Sequence, residues 1–188
     1  KNPMVSVAQT QYAARLERFA LPRYGEIPRI ELYMDQLLGY IEEMLGPLYA
    51  RNEKIITSSM VNNYVKQGIL AAARSKKYTR DHIAYLIVIC TLKQTFSIAE
   101  IEQLIASQIA SFETAVAYDY YCDAFEDAVR ALFGGKGSQP CGLMGSSGAG
   151  DFERDLVKAS TAAVAYTLYI KASLLAMDLA EESNTSNP

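Results

Sequence analysis

The chain has 188 residues, half of them hydrophobic, enough for one large packed domain or two small ones. Its most apolar stretch, Ala159 to Ala180, is interrupted by Lys171 and Asp178, so a bilayer-spanning run of ~20 uninterrupted apolar residues is not expected. One histidine, His82, and three cysteines, Cys90, Cys122 and Cys141, without C-x-x-C spacing, leave little material for a histidine-rich metal centre, a serine-type triad or a zinc site. The expectation is a non-enzymatic, cofactor-free protein of a reducing cytoplasm.

The net charge of −3 conceals a strong segregation. Residues 1–50 hold five basic and six acidic side chains, residues 51–98 eight basic and two acidic, and residues 99–188 five basic and thirteen acidic. The middle of the chain is a basic island in an otherwise acidic protein.

In chain order, Val7 to Phe19 is predicted to form a helix ending before Pro22, and residues 1–29 read as an N-terminal extension. Ile30, Tyr33, Met34, Leu37, Leu38, Ile41, Met44 and Leu45 recur at helical spacing, predicting a helix over 30–45 that buries this stripe and turns Glu42 and Glu43 to water. Gly46-Pro47 stops it. Thr57 or Ser58 caps a short helix that runs to Lys66 or Gln67, with Gly68 at its C-terminal turn. Ile69-Leu70 and Lys77-Tyr78 then read as two short strands of a hairpin whose tip, 71–76, carries Arg74 and Lys76.

Thr79 caps a helix over 80–94 whose apolar residues wrap most of the circumference, as in a helix surrounded by others. Ser97-Ile98-Ala99-Glu100 is a capping-box pattern that starts a further helix, interrupted near 107–111 and reaching Phe133. Residues 134–150 hold seven glycines and Pro140 and read as a flexible linker. Beyond it Phe152, Leu156, Ala159, Ala163, Tyr166, Ile170, Ser173 and Met177 follow alternating steps of four and three, the spacing of a seam between helices. Residues 183–188 read as a polar tail.

The short helix over 58–66 has two faces. Val61, Tyr64 and Val65 lie on one, and Ser59, Asn62, Asn63 and Lys66 on the other, at i, i+3, i+4 and i+7, with no acid among them. A helix enters the DNA major groove only if its outward face lacks carboxylates and carries groups that bond base edges or phosphates. Asn pairs with adenine bidentately, Ser is adaptable, and Lys reaches a guanine edge or a phosphate. Ser58, Ser59, Asn62, Asn63 and Lys66, together with Arg74, Lys76, Lys77 and Arg80, are therefore the candidate DNA-binding residues.

The order of the elements resembles the MerR-type winged helix-turn-helix. The chain reads Tyr64-Val65-Lys66-Gln67-Gly68-Ile69-Leu70, then Lys77-Tyr78-Thr79-Arg80-Asp81, then Ser97-Ile98-Ala99-Glu100-Ile101, three linked boxes over residues 57–104. The Asn62-Asn63 pair stands where those regulators carry Arg-Tyr. The whole chain, including the lead-in Tyr33-Met34-Asp35-Gln36-Leu37-Leu38, is similar to a bacterial family catalogued as a domain of unknown function and related to those regulators. The resemblance implies a mainly α fold with a MerR-like winged helix-turn-helix over 30–105, a small β-hairpin wing, and a C-terminal helical region over 106–182. It further implies phosphate contacts from Lys66, Arg74, Lys76 and Lys77, a core-anchoring role for Tyr78, and a homodimer on palindromic DNA.

Other signals weigh less. Gly145-Ser146-Ser147-Gly148-Ala149-Gly150 before a helix has the composition of an anion nest but lacks the Gly-Lys-[Ser/Thr] ending of a phosphate loop. Tyr118, Tyr120, Tyr121, Tyr166, Tyr169 and Met177 are candidates for an apolar effector site, with core packing or a dimer interface the stronger expectation. Asp119, Asp123, Glu126 and Asp127 read as a solvated face. The combined expectation is a transcriptional regulator binding promoter DNA as a homodimer; the alternative is a non-enzymatic protein-interaction or small-ligand-sensing module.

Overall fold

Local punctuation sets the helix ends. Thr10 caps α1 (Gln11–Glu17), its hydroxyl accepting the Ala13 N–H at 3.1 Å. Pro22 and Pro28 precede α2 (Met34–Leu45), which Gly46 and Pro47 end in a tight 3-10 turn. Then come α3 (Ser58–Lys66), α4 (Arg80–Leu92), α5 (Ile98–Ile109), α6 (Thr114–Phe133) and α7 (Asp151–Thr185). The computed structural model describes residues 10–50, 53–134, 142–143, 145, 148 and 150–185. Among them the chain is mainly helical and contains no β-strand.

The hub is α4. Ile83, Leu86, Ile87, Ile89 and Cys90 are fully buried, so most of its circumference is enclosed and only the side bearing Tyr85 and Val88 is half-buried. This is the all-round apolar pattern expected of a central helix. α2 packs on one flank, and α6 and α7 on others; α1 lies on α6, and the longest helix pairing joins α6 to α7. Phe125 of α6 stacks near Tyr121 and meets Phe19 edge-on, both at 6.1 Å, while the Tyr121 hydroxyl bonds Thr91 Oγ1 of α4 at 2.6 Å. One continuous apolar core runs from Tyr12 to Ala172.

An ion-pair network centred on one buried carboxylate fastens the N-terminal segment. Glu126, 3% exposed, accepts the Leu21 N–H at 2.9 Å and the guanidinium nitrogens of Arg23 and Arg130 at 2.7 and 2.6 Å. Asp123 takes the second nitrogen of Arg23 at 2.7 Å, and Asp119 accepts the Tyr24 N–H at 2.7 Å. Burial pushes the Glu126 carboxyl up, but its hydrogen bonds with Arg23 and Leu21 and the two guanidinium charges outweigh burial and hold it below the ordinary range. The expected solvated acidic face is thus corrected: three of its four acids organise the chain before α2.

Further expectations change at this level. α2 begins at Met34 rather than Ile30, because Leu32 is extended and bridges Tyr78; Ile30 and Tyr33 are left exposed. Glu42 does not simply face water: it accepts the Ile55 N–H at 3.2 Å and pairs with Lys54 at 3.3 Å, holding the connector that leads into α3. The hairpin strands Ile69-Leu70 and Lys77-Tyr78 do not form, since Ile69 and Leu70 fold back onto α3 and Tyr78 pairs with Leu32.

The helix predicted from Val7 starts at Gln11 among the described residues, and the interruption expected near 107–111 is the gap between α5 and α6. Most of the glycine-rich stretch lies outside the described residues, as do Ser146, Ser147 and Ala149 of the anion-nest candidate. The described Gly145 N–H donates to the Asp155 carboxylate at 2.9 Å. Backbone helix continues through Thr185, past the start of the expected tail. By length and composition α7 is also apolar enough to cross a membrane, with a mean hydropathy of 1.3 in its best window, so the two charges that interrupt it do not remove that property.

Candidate nucleic-acid interface

The candidate surface begins with a short helix held at both ends. Thr57 accepts the Met60 N–H at 3.2 Å and so starts α3. At the other end Gly68 takes φ +80°, letting its N–H reach the Val65 carbonyl at 3.0 Å and the Ile69 N–H reach the Tyr64 carbonyl at 3.0 Å. This paired reversal is a Schellman ending, which requires the left-handed conformation that glycine adopts without steric cost. It returns Ile69 and Leu70 to the core, where they are buried with Val61 and Tyr64. The Tyr-x-x-x-Gly-Ile-Leu run is therefore the means by which α3 is pinned on one side only.

The opposite side is free. Ser58, Ser59, Asn62, Asn63 and Lys66 are all exposed, and among the described residues none of their side chains makes a hydrogen bond or ion pair. No carboxylate occurs anywhere on α3.

Eight residues beyond Lys66 the chain reverses in a two-residue turn. The Arg74 N–H donates to the Lys77 carbonyl at 3.2 Å, and the Lys77 N–H donates to the Arg74 carbonyl at 2.9 Å. Ser75 and Lys76 between them have φ of 49° and 62°. That is a type I′ turn, normally built from Asn-Gly, and two ordinary side chains in it cost about 1–2 kcal/mol each. The turn holds Arg74 and Lys76 in water without an acidic partner among the described residues.

The base of the turn is anchored by His82, which stands alone in the sequence as poor material for a metal centre or a serine-type triad. Thr79 N–H donates to its Nδ1 at 3.0 Å, so Nε2 carries the hydrogen and donates to the Ala71 carbonyl at 3.1 Å. Tyr78 is buried edge-on to the His82 ring at 5.3 Å and exchanges both backbone hydrogen bonds with Leu32. The signal available in the sequence was the position of His82, three residues after the cap Thr79, where a capping partner belongs.

Two of the nine candidate residues differ from the rest. Arg80 donates from Nε and a terminal nitrogen to the Ile27 carbonyl, at 3.1 and 2.8 Å, and lies over the Tyr24 ring at 5.2 Å. Its donors serve the fold. Lys77 is half-buried, with its ammonium 5.6 Å from the Tyr33 ring centre.

Other chemistry has little support in this geometry. No group of three metal-ligating side chains occurs among the described residues. Burial pushes the Cys90 and Cys122 thiols up to about 12, which keeps them protonated and unreactive. A pocket of about 240 Å³ is lined by Tyr12, Leu48, Tyr49, Glu53, Gln94 and Leu174 among others. A smaller apolar pocket of about 60 Å³, partly open to solvent, lies between α4, α5, α6 and α7, lined by Tyr85, Val88, Leu104, Tyr118, Tyr121 and Val157 among others. Tyr166 and Met177 are not in it, being exposed on α7.

The fold and surface together define a helical protein with an outward, carboxylate-free helix followed by a basic turn. The chain belongs to the family described as Domain of unknown function (DUF1836), which matches residues 22–121, from the Arg23 segment through α5 and into α6. No curated protein and no solved structure matches the chain.

Proposed function

We propose that this protein binds double-stranded DNA as a homodimer and acts as a transcriptional regulator. In this reading α3 enters the major groove, and Lys66, Arg74 and Lys76 meet phosphates. The observation that carries it is the single-sided anchoring of α3, which leaves five polar residues and no acid in open solvent. Asn62 and Asn63 supply base-edge bonding and Ser58 and Ser59 adaptable donors, while the free cations supply the sequence-independent part of affinity. The ordered boxes shared with MerR-type regulators support the same reading; the tight turn takes the place of a stranded wing.

One observation ranks the protein-interaction alternative lower. The acidic helix that would recruit a protein partner spends Asp119, Asp123 and Glu126 on the chain before α2.

The test is titration of the full chain against random-sequence duplex at two salt concentrations. A log–log slope of about −5 is expected from three phosphate contacts in each of two subunits, and absent or salt-independent binding at low salt would overturn the proposal.

A further inference from the structure

α7 has two apolar faces, and the core uses one. Val157, Thr161, Val164, Leu168 and Ala172 are buried. At 3.6 residues per turn, Phe152, Ala159, Ala163, Tyr166, Ile170 and Met177 fall on the opposite side. The large members of that stripe are open to solvent: Phe152 at 55%, Tyr166 at 44%, Ile170 at 58% and Met177 at 60%. Lys158 and Lys171, the only charges between Leu156 and Met177, fall outside it. The seam read from the sequence is thus real as a pattern but is not the one α6 covers. A stripe repeating every 3.5 residues is shaped for another helix, and no described helix occupies it.

We propose that a second copy of this chain covers the stripe, α7 against α7, antiparallel about a two-fold axis between positions 164 and 165. This rests on the dimeric part of the reading above and not on DNA binding. The sequence of the stripe favours this partner and this direction. Antiparallel pairing sets Phe152 opposite Met177 of the partner subunit, Leu156 opposite the partner's Ser173, Ala159 opposite the partner's Ile170, and Ala163 opposite the partner's Tyr166.

Three of these four layers match a large side chain with a small one, so the two helices keep one separation through the central layers, and only the outermost layer sets two large side chains together. Parallel pairing would set each residue against itself. The layers at Ala159 and Ala163 would then be hollow, and those at Phe152, Tyr166 and Ile170 would force the helices apart.

The area is sufficient. Phe152, Tyr166, Ile170, Leu174 and Met177 each leave on the order of 100 Å² in water, so a symmetric pair covers roughly 1,000 Å², where specific interfaces begin. A bilayer fits less well, because lipid would have to replace α6 on the other face of α7, and α6 carries Asp119, Asp123, Asp127 and Arg130 along with it.

Sedimentation equilibrium of the full chain at tens of micromolar, without DNA, should give twice the 20.8 kDa chain mass. Ile170→Asp should weaken that association by at least about 100-fold, since it places two charges in a dry seam, while leaving the helical circular dichroism of the monomer unchanged. In a Cys141→Ser background, Ala159→Cys and Ile170→Cys should form an intermolecular disulfide when mixed, and neither should dimerise covalently alone. A monomer, an unaffected Ile170→Asp variant, or disulfides formed by each single variant with itself would overturn the proposal. So would a monomer that floats with phosphatidylcholine vesicles. Because no duplex is present, these outcomes are independent of whether the protein binds DNA.

Discussion

Glu126→Ala is expected to destabilise the protein by about 2–3 kcal/mol in urea unfolding, the cost of leaving the Leu21 N–H without a partner and of removing the charged acceptor that two partly exposed guanidinium groups share. Glu126 joins Leu21, Arg23 and Arg130 through one carboxylate, so its removal orphans the Leu21 N–H and takes the shared acceptor from both guanidinium groups, although Arg23 also keeps its bond to the Leu21 carbonyl. Arg23 keeps its bond to Asp123, but that pair is exposed and contributes far less. A change below ~1 kcal/mol would mean that water replaces the carboxylate without loss, contrary to its burial.

The same site sets an acid limit. The folded carboxyl is held below its unfolded value, so its stabilising contribution is fully present above the unfolded pKa of ~4.3 and is lost as pH falls through the folded value. Glu126→Gln should therefore flatten the dependence of unfolding free energy on pH in the window below ~4.3, and leave the slope near neutrality unchanged.

What could be read from the sequence follows the range of the physics involved. Caps and helix endings depend on neighbours three to five residues away. Thr57, Gly68 and the Ser97–Glu100 box therefore behave as expected, as does the face bearing Ser59, Asn62, Asn63 and Lys66. The Glu126 network joins residues more than a hundred positions apart, and nothing local distinguishes Glu126 from Asp127, which stays in water. Arg80 looked like one more cation of the basic island because the Ile27 carbonyl that claims it lies 53 positions away.

The turn at Ser75-Lys76 lacks the glycine that signals a two-residue reversal, which is why a longer tip, over 71–76 between two short strands, was expected there. α7 illustrates a different limit. Periodicity detects that a helix has an apolar stripe; it does not reveal which of two stripes the rest of the same chain covers.

Lys66→Ala, Arg74→Ala and Lys76→Ala combined remove three phosphate contacts from each subunit of the homodimer, and are expected to weaken binding to any duplex by on the order of 10⁵-fold at 0.1 M salt and to lower the salt slope by about five. Each phosphate contact adds ~0.9 to that slope, which corresponds to roughly eightfold in affinity per contact at 0.1 M relative to 1 M. All three side chains are exposed and make no ion pair among the described residues, so the folded state loses little.

A turn variant separates binding from stability in the opposite sense. Ser75→Asn with Lys76→Gly should raise unfolding free energy by about 1–2 kcal/mol, because both residues now suit positive φ, yet still weaken DNA binding by the one lost cation. A more stable protein that binds less tightly cannot be explained by partial unfolding. Asn62→Ala should act on a third property, reducing discrimination between duplexes by ~1–3 kcal/mol while sparing the salt slope. If the triple variant retained the parental slope, the phosphates would be met by other residues, and α3 would lose the electrostatic frame that orients it in the groove.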